Sequence, residues 1–269
     1  ERPPPGVWLP YTAAMFSRRL PWPPRENRLS LLLKEKRRRG ARLFDLTESN
    51  PTRAGLPYPV ERLAAALSDR GVATYDPDPR GLEQARRAVA EFCAARGQAA
   101  SPERMVLTAG TSEAYAFLFK LLADPGDAVL IPRPSYPLFD DLAALESVRV
   151  EPYAVLLDDV WRLDLEAIER LLEGGGERPP RAVVLVNPNN PTGTALRVEE
   201  RRALEAMCAR HGAALLSDEV FLDYMFEGAG ASVSMACPRT AGEARALSFT
   251  LGGLSKACGL PQMKLGWIL

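Results

Sequence analysis

Histidine is almost missing from this chain: His211 is the only one in 269 residues. A Ser-His-Asp triad or a multi-histidine metal site would have to be built on that one side chain. It directly precedes Gly212, at the end of a helical pattern running from Val198 to Arg210, where an imidazole complements the helix dipole. Cysteine is sparse and scattered. Cys93, Cys208, Cys237 and Cys258 contain no CxxC pair, which argues against a disulfide framework or a zinc site, and no metal is expected. Net charge is absent too: 34 Lys and Arg balance 34 Asp and Glu, so no global field draws in nucleic acid or an anionic membrane. No apolar run approaches the length of a membrane span. The N-terminal ERPPPGVWLPYTAAMF lacks the charged-then-apolar layout of a signal peptide. No Walker A sequence occurs, and Gly174-Gly175-Gly176 follows a helical pattern where a dinucleotide fingerprint must precede one. Both Asn-x-Thr matches, at Asn50 and Asn190, carry proline in the middle and are not glycosylation sites. The expectation is a cytoplasmic globular enzyme with reduced thiols and no nucleic-acid or membrane partner.

What is present falls into two parts. Residues 1–24 are proline-rich and without periodicity, an extended arm. Residues 25–39 hold an apolar cluster with a strongly basic end, which predicts an amphipathic helix stopped by Gly40. Asp45–Pro59 is loop chemistry, dense in Asn, Pro and Gly. Thr74–Gly97 pairs a turn with a helix beginning near Gly81, with Leu82, Ala85, Val89 and Phe92 as its buried face. From about Met105 onward, apolar β runs alternate with helical patterns, which predicts a three-layer α/β sandwich with a mainly parallel sheet. The run AVVLV at 182–186 is continuous, as in a strand covered on both faces.

Chemistry-bearing residues cluster just after those runs. MVLT leads to Ala-Gly-Thr-Ser and a helix from about Ser112, whose unpaired N–H groups suit a phosphate, with Thr111 and Ser112 adding hydroxyls. Pro134-Ser135-Tyr136-Pro137 follows AVLIP, and Asn-Pro-Asn-Asn-Pro-Thr-Gly follows AVVLV. Asp218-Glu219 ends the buried run after Gly212. Ligands of α/β sheets sit beyond the carboxyl ends of strands, where these groups land. The last such stretch is SFTLGGLSKACGLPQMKLGW, centred on Lys256. A lysine becomes nucleophilic near neutral pH only when its ammonium is destabilised by desolvation or a neighbouring cation. Apolar residues and Gly252-Gly253 precede Lys256, and Lys264 follows eight positions on. That suits an amine condensing with a carbonyl beside a cation that holds a phosphate.

GLSKACGLPQMKLGW resembles the lysine signature of the class I/II aminotransferases, pyridoxal 5'-phosphate (PLP) enzymes of fold type I. AGTS, PSYP, NPTG and the Asp218 segment match further motifs of that family, in its order. The resemblance implies that Lys256 carries the cofactor as a Schiff base and that Asp218 pairs with the pyridine nitrogen. It implies that Gly110, Thr111, Ser112, Ser255 and Lys264 hold the phosphate, that Tyr136 stacks on the ring, and that Asn190 bonds the phenolic oxygen and lies by the substrate. Tyr75 corresponds to a tyrosine that reaches the phosphate of the neighbouring subunit in a homodimer, and Asn50 to a residue near the bound amino acid. Two positions depart from the pattern. Phe221 stands where a tyrosine is usual, and Lys264 stands where an arginine is usual, a point charge in place of a bidentate fork.

The resemblance implies transfer of an amino group between an amino acid and a 2-oxo acid, in amino-acid metabolism or biosynthesis. The same apparatus serves C–S lyases and related eliminations, and a PLP-fold domain also occurs as a non-catalytic ligand sensor. Sensors of that kind carry an N-terminal DNA-binding helix-turn-helix, for which residues 1–45 are too short and proline-rich. Residues 1–45 are expected to be an arm and helix belonging to a small domain, and 46–269 a PLP-binding large domain that stops before the C-terminal small domain. On that expectation the 269-residue chain by itself turns over little.

Overall fold

The computed structural model describes residues 17–19, 26, 28–44, 50–174, 178–225, 233–238 and 242–269, and divides the chain into two compact units, 1–50 and 51–269. Most of the expected proline-rich arm, residues 45–49 of the loop, and Gly175-Gly176 lie outside the described residues. In the first unit, α1 (Arg28–Arg38) has Lys36, Arg37 and Arg38 in its last turn and no buried residue. Gly40 ends it at φ 67, as the sequence suggested. The Gly40 N–H donates to Arg37 O and the Ala41 N–H to Lys36 O, which satisfies carbonyls the last turn would leave open.

The second unit runs α2 (Val60–Leu67), α3 (Glu83–Ala94), β1 (Val106–Thr108), α4 (Thr111–Leu122), β2 (Ala128–Arg133), α5 (Phe139–Leu145), β3 (Arg149–Leu157), β4 (Trp161–Leu163), α6 (Leu165–Glu173), β5 (Ala182–Val186), α7 (Val198–His211), β6 (Ala214–Asp218), β7 (Ser248–Gly253), α8 (Leu254–Ala257) and β8 (Gly266–Ile268). The strands form one sheet in the order β1-β8-β7-β6-β5-β2-β3-β4. Every pairing from β7 across to β3 is parallel. The outer pairings β1–β8, β8–β7 and β3–β4 are antiparallel.

The two-residue period of a strand sends alternate side chains to opposite faces. Val129, Ile131, Val184 and Leu216 pack with Tyr115, Leu118 and Phe119 of α4 and with Phe139 of α5. Leu130, Val183, Leu185 and Leu215 pack on the other face, with Ile168 and Leu172 of α6 and Leu204 and Cys208 of α7. This is the expected three-layer sandwich. Val183, Val184 and Leu215 are completely buried. Each contributes roughly 1.5–3 kcal/mol by leaving water, and a polar replacement there would break the layer.

Helix α3 departs from its expected register. Its buried residues are Arg86, Val89, Ala90 and Cys93, whereas Leu82 is exposed. Leu82 sits at the N-cap with an extended backbone, outside the helical face. Arg86 is buried because its guanidinium fastens the preceding turn, donating to Gly81 O, Pro102 O and Asp78 Oδ2. A helical plot counts that position as polar surface. Here it is a peg.

Candidate active site

The parallel strands end side by side, so the loops after β2, β5, β6 and β7 share one edge of the sheet. Hydrogen bonds lace these loops together. After β2, the chain passes Pro134 and Ser135 to Tyr136, whose ring is half-exposed and meets Phe139 edge-on at 6.0 Å. Asn189, buried in the loop after β5, donates to Pro134 O at 3.1 Å and accepts from the Ser135 hydroxyl at 3.4 Å. That ties the Tyr136 loop to the Asn190 loop. Asn190 itself is exposed, so its amide is accessible. Three residues before Asn190, buried Asn187 donates its backbone N–H to Asp218 O at 2.8 Å, joining this loop to β6.

Asp218 is a buried carboxylate at the end of β6, paired across the sheet with Leu251 of β7. Its Oδ2 accepts from the Tyr115 hydroxyl at 3.3 Å and its Oδ1 from the Val220 N–H at 3.2 Å. Burial pushes its pKa up to about 6, against the opposing pull of those two bonds. Beyond Leu251, β7 runs into α8, which carries Ser255 and Lys256, both half-buried. Lys256 Nζ lies 5.6 Å above the centre of the Phe221 ring. The side chain that stands in for the usual tyrosine is therefore directly beneath the amine. Tyr224 does not replace it, since its hydroxyl is spent on Lys256 O at 2.8 Å.

The start of α4 forms the other end of the site. Gly110 caps the helix at φ 151, a conformation that favours glycine, and no side chain caps it. Thr111 and Ser112 open the first turn, and their neighbour Glu113 accepts from the Ala109 N–H at 2.7 Å. Gly266 of β8 backs this loop, where an added Cβ would lie 2.9 Å from Gly110 Cα and 3.0 Å from Thr108 Oγ1. Lys264 is exposed, in a left-handed conformation at φ 51 just before β8. Tyr75 is 90% exposed. Asn50 falls in the first unit.

Several residues of this region escaped the sequence reading. Glu219, next to Asp218, is a clamp. It accepts from Ser217 Oγ, Ser234 Oγ, the Met235 N–H and Gln98 Nε2. Burial raises its pKa in spite of these donors. Tyr115, Asn187 and Asn189 were hidden as well, because each sits in a stretch that reads as core or turn. Among the described residues, no group of three His, Cys, Asp or Glu could hold a metal ion.

Parallel strands thus deliver an amine, a buried carboxylate, an amide and an aromatic ring to one edge, beside an uncapped helix start. A family model described as aminotransferase class I and II matches residues 41–269. Nicotianamine aminotransferase 1 of Oryza sativa subsp. japonica is 31% identical over 189 residues, covering 70% of this chain and 36% of its own length. The probable aspartate/prephenate aminotransferase of Thermus aquaticus is 31% identical over 232 residues, covering 84% of this chain and 58% of its own. The solved structure of a Thermus thermophilus aspartate aminotransferase double mutant superposes with a TM-score of 0.76 at 27% identity, covering 94% of this chain and 64% of that one. The chain belongs to the class I/II aminotransferase family, and it spans 36% and 58% of the two curated relatives named here.

Members of this family depend on PLP. The residues present fit that group. Asp218 is buried with its pKa raised by desolvation, and no cation is among the causes that shift it, so a protonated ring nitrogen set against it would supply a counter-charge. At the other end, the uncapped start of α4 offers N–H groups to a phosphate.

Proposed function

We propose that this chain is the cofactor-binding part of a PLP-dependent aminotransferase, which moves an amino group between an amino acid and a 2-oxo acid. The observation that carries the reading is Lys256 Nζ held over Phe221, on the short helix that follows the strand paired with the one ending in buried Asp218. PLP, when bound, supplies an electron sink for the pair left when a proton leaves the substrate's Cα. Lys256 Nζ would hold the cofactor at its aldehyde carbon, with loss of water, and as the free amine would take up the proton that leaves the substrate's Cα. Asp218 would keep the ring nitrogen protonated, Asn190 would donate to the phenolic oxygen, and Tyr136 would offer its ring to one face. Gly110, Thr111, Ser112, Ser255 and Lys264 hold the phosphate.

We further read residues 46–269 as the large domain and the complete protein as a cytoplasmic homodimer. The near-complete exposure of Tyr75 supports its reaching the partner subunit's phosphate. No helix among the described residues is long and apolar enough to cross a membrane, and the four cysteines are free thiols. A second reading, elimination at a C–S bond, gains support from 33% identity over 189 residues to the S-alkyl-thiohydroximate lyase SUR1 of Arabidopsis thaliana.

The test is PLP binding by the complete protein, followed by borohydride reduction and peptide mapping, with an amino-donor screen. Wild type should trap PLP on Lys256 and release a 2-oxo acid, and Lys256→Ala should do neither. Pyruvate, ammonia and a thiol as products would favour elimination. Trapping at another lysine would end both readings.

A further inference from the structure

Tyr115 is a buried hydroxyl that the proposed reaction does not yet use. It sits in the second turn of α4, 2% exposed, edge-on to Phe139 at 5.0 Å and tilted against Phe119 at 5.7 Å. A phenylalanine would fill the same aromatic cluster. A hydroxyl there costs free energy unless it is bonded, and among the described residues its hydrogen-bond partner is Asp218 Oδ2, 3.3 Å away. The second carboxylate oxygen is held from the backbone by Val220. One side-chain donor and one backbone donor therefore fix the plane of the carboxylate.

We propose that Tyr115 is the positioning residue that aims Asp218 at the cofactor's ring nitrogen and keeps it charged, a role that rests on the PLP reading above. A phenol donating to a carboxylate favours the ionised form, which is the form that pairs with a protonated ring. Placement on α4 gives the contact a second consequence. The N-terminus of that helix is the candidate phosphate site, and Tyr115 lies four residues beyond Thr111, about 6 Å along the axis. One rigid element thus sets both the candidate phosphate anchor and the orientation of the carboxylate, and Phe139 joins it to Tyr136.

The experiment compares wild type, Tyr115→Phe, Asp218→Asn and the double variant in the complete protein. Tyr115→Phe should weaken PLP binding about tenfold and lower kcat about tenfold with the amino donor's KM unchanged, the loss expected for one hydrogen bond to a charged group. In the Asp218→Asn background the same change should have little further effect, because the charge it serves is gone. Equal losses in both backgrounds, or PLP affinity within twofold of wild type, overturn the proposal. Should Tyr115→Phe fail to fold, the Cζ resonance of Tyr115 in PLP-free wild type decides the matter. It should shift with a midpoint near 6 as Asp218 ionises, and a resonance that stays put overturns the role. Wild type that binds no PLP at Lys256 removes the functional reading itself and this role with it, while the resonance would still report the Tyr115–Asp218 contact.

Discussion

Asp218 should make the cofactor-free protein less stable than it could be. Its pKa rises from 3.8 to about 6 on folding, chiefly by burial. Ionising it inside the fold therefore costs about 3 kcal/mol, at about 1.4 kcal/mol per pKa unit. The sign follows from linkage. A carboxyl group with a raised folded pKa binds its proton more tightly when folded, so its penalty is small near pH 4, grows as pH rises from the unfolded pKa of 3.8 to the folded pKa of about 6, and is complete at about pH 7. Asp218→Asn keeps the shape and removes the charge. The amide oxygen can still accept from Val220, and the Tyr115 hydroxyl can turn to accept from the amide nitrogen. In urea titrations of the PLP-free complete protein, Asp218→Asn should match wild type within about 1 kcal/mol near pH 4 and exceed it by about 3 kcal/mol at pH 7. Adding PLP should reverse the order, because only wild type gains an ion pair with the ring. A gap that stays constant from pH 4 to pH 7 would show that Asp218 does not titrate inside the fold, and the electrostatic account of the site would fail.

Two further outcomes separate the site from its supports. Lys264→Arg replaces a point charge with a planar fork, and PLP release followed by absorbance should slow several-fold; identical release rates would place Lys264 away from the phosphate. Glu219→Ala leaves the Ser217 and Ser234 hydroxyls, the Met235 N–H and the Gln98 amide without their shared acceptor. It should cost at least about 3 kcal/mol by urea denaturation, and a loss under about 1 kcal/mol would mean that water takes over the clamp.

The interior of the fold was legible because it follows simple periods. AVVLV and AVLIP could only be covered strands, and α6, α7 and the glycine after His211 announced themselves by pattern and cap. Strands β4 and β8 were not legible. Each is three residues long, too short for alternation to register, and each is a strand only because an antiparallel neighbour accepts it. Trp267 shows how much this hides. It lies against Gly252, where an added Cβ would come within 2.4 Å of its Cε2, and its ring meets Phe92 edge-on at 5.8 Å. The glycine pair before Lys256 thus has a packing reason for its first member, apart from any ligand.

Strand order is what the sequence withheld about the site, and it is what makes the site. Tyr136, Asn190, Asp218 and Lys256 each follow an apolar run, and every run could be recognised alone. Their chain order, however, leaves open which loops are neighbours. In the sheet, β2, β5, β6 and β7 lie consecutively, so the four residues stand in line in chain order although β3 and β4 intervene between the first two in sequence. The chain must leave β2, build β3 and β4 on the outer side, and return to lay β5 against β2's inner edge. Without that return, Tyr136 would be separated from Asn190 by the width of two strands, roughly 10 Å, and one ring could not span them. Asn189 is the side chain that records the result. Its bonds to Pro134 and Ser135 join loops that the sequence places more than fifty residues apart.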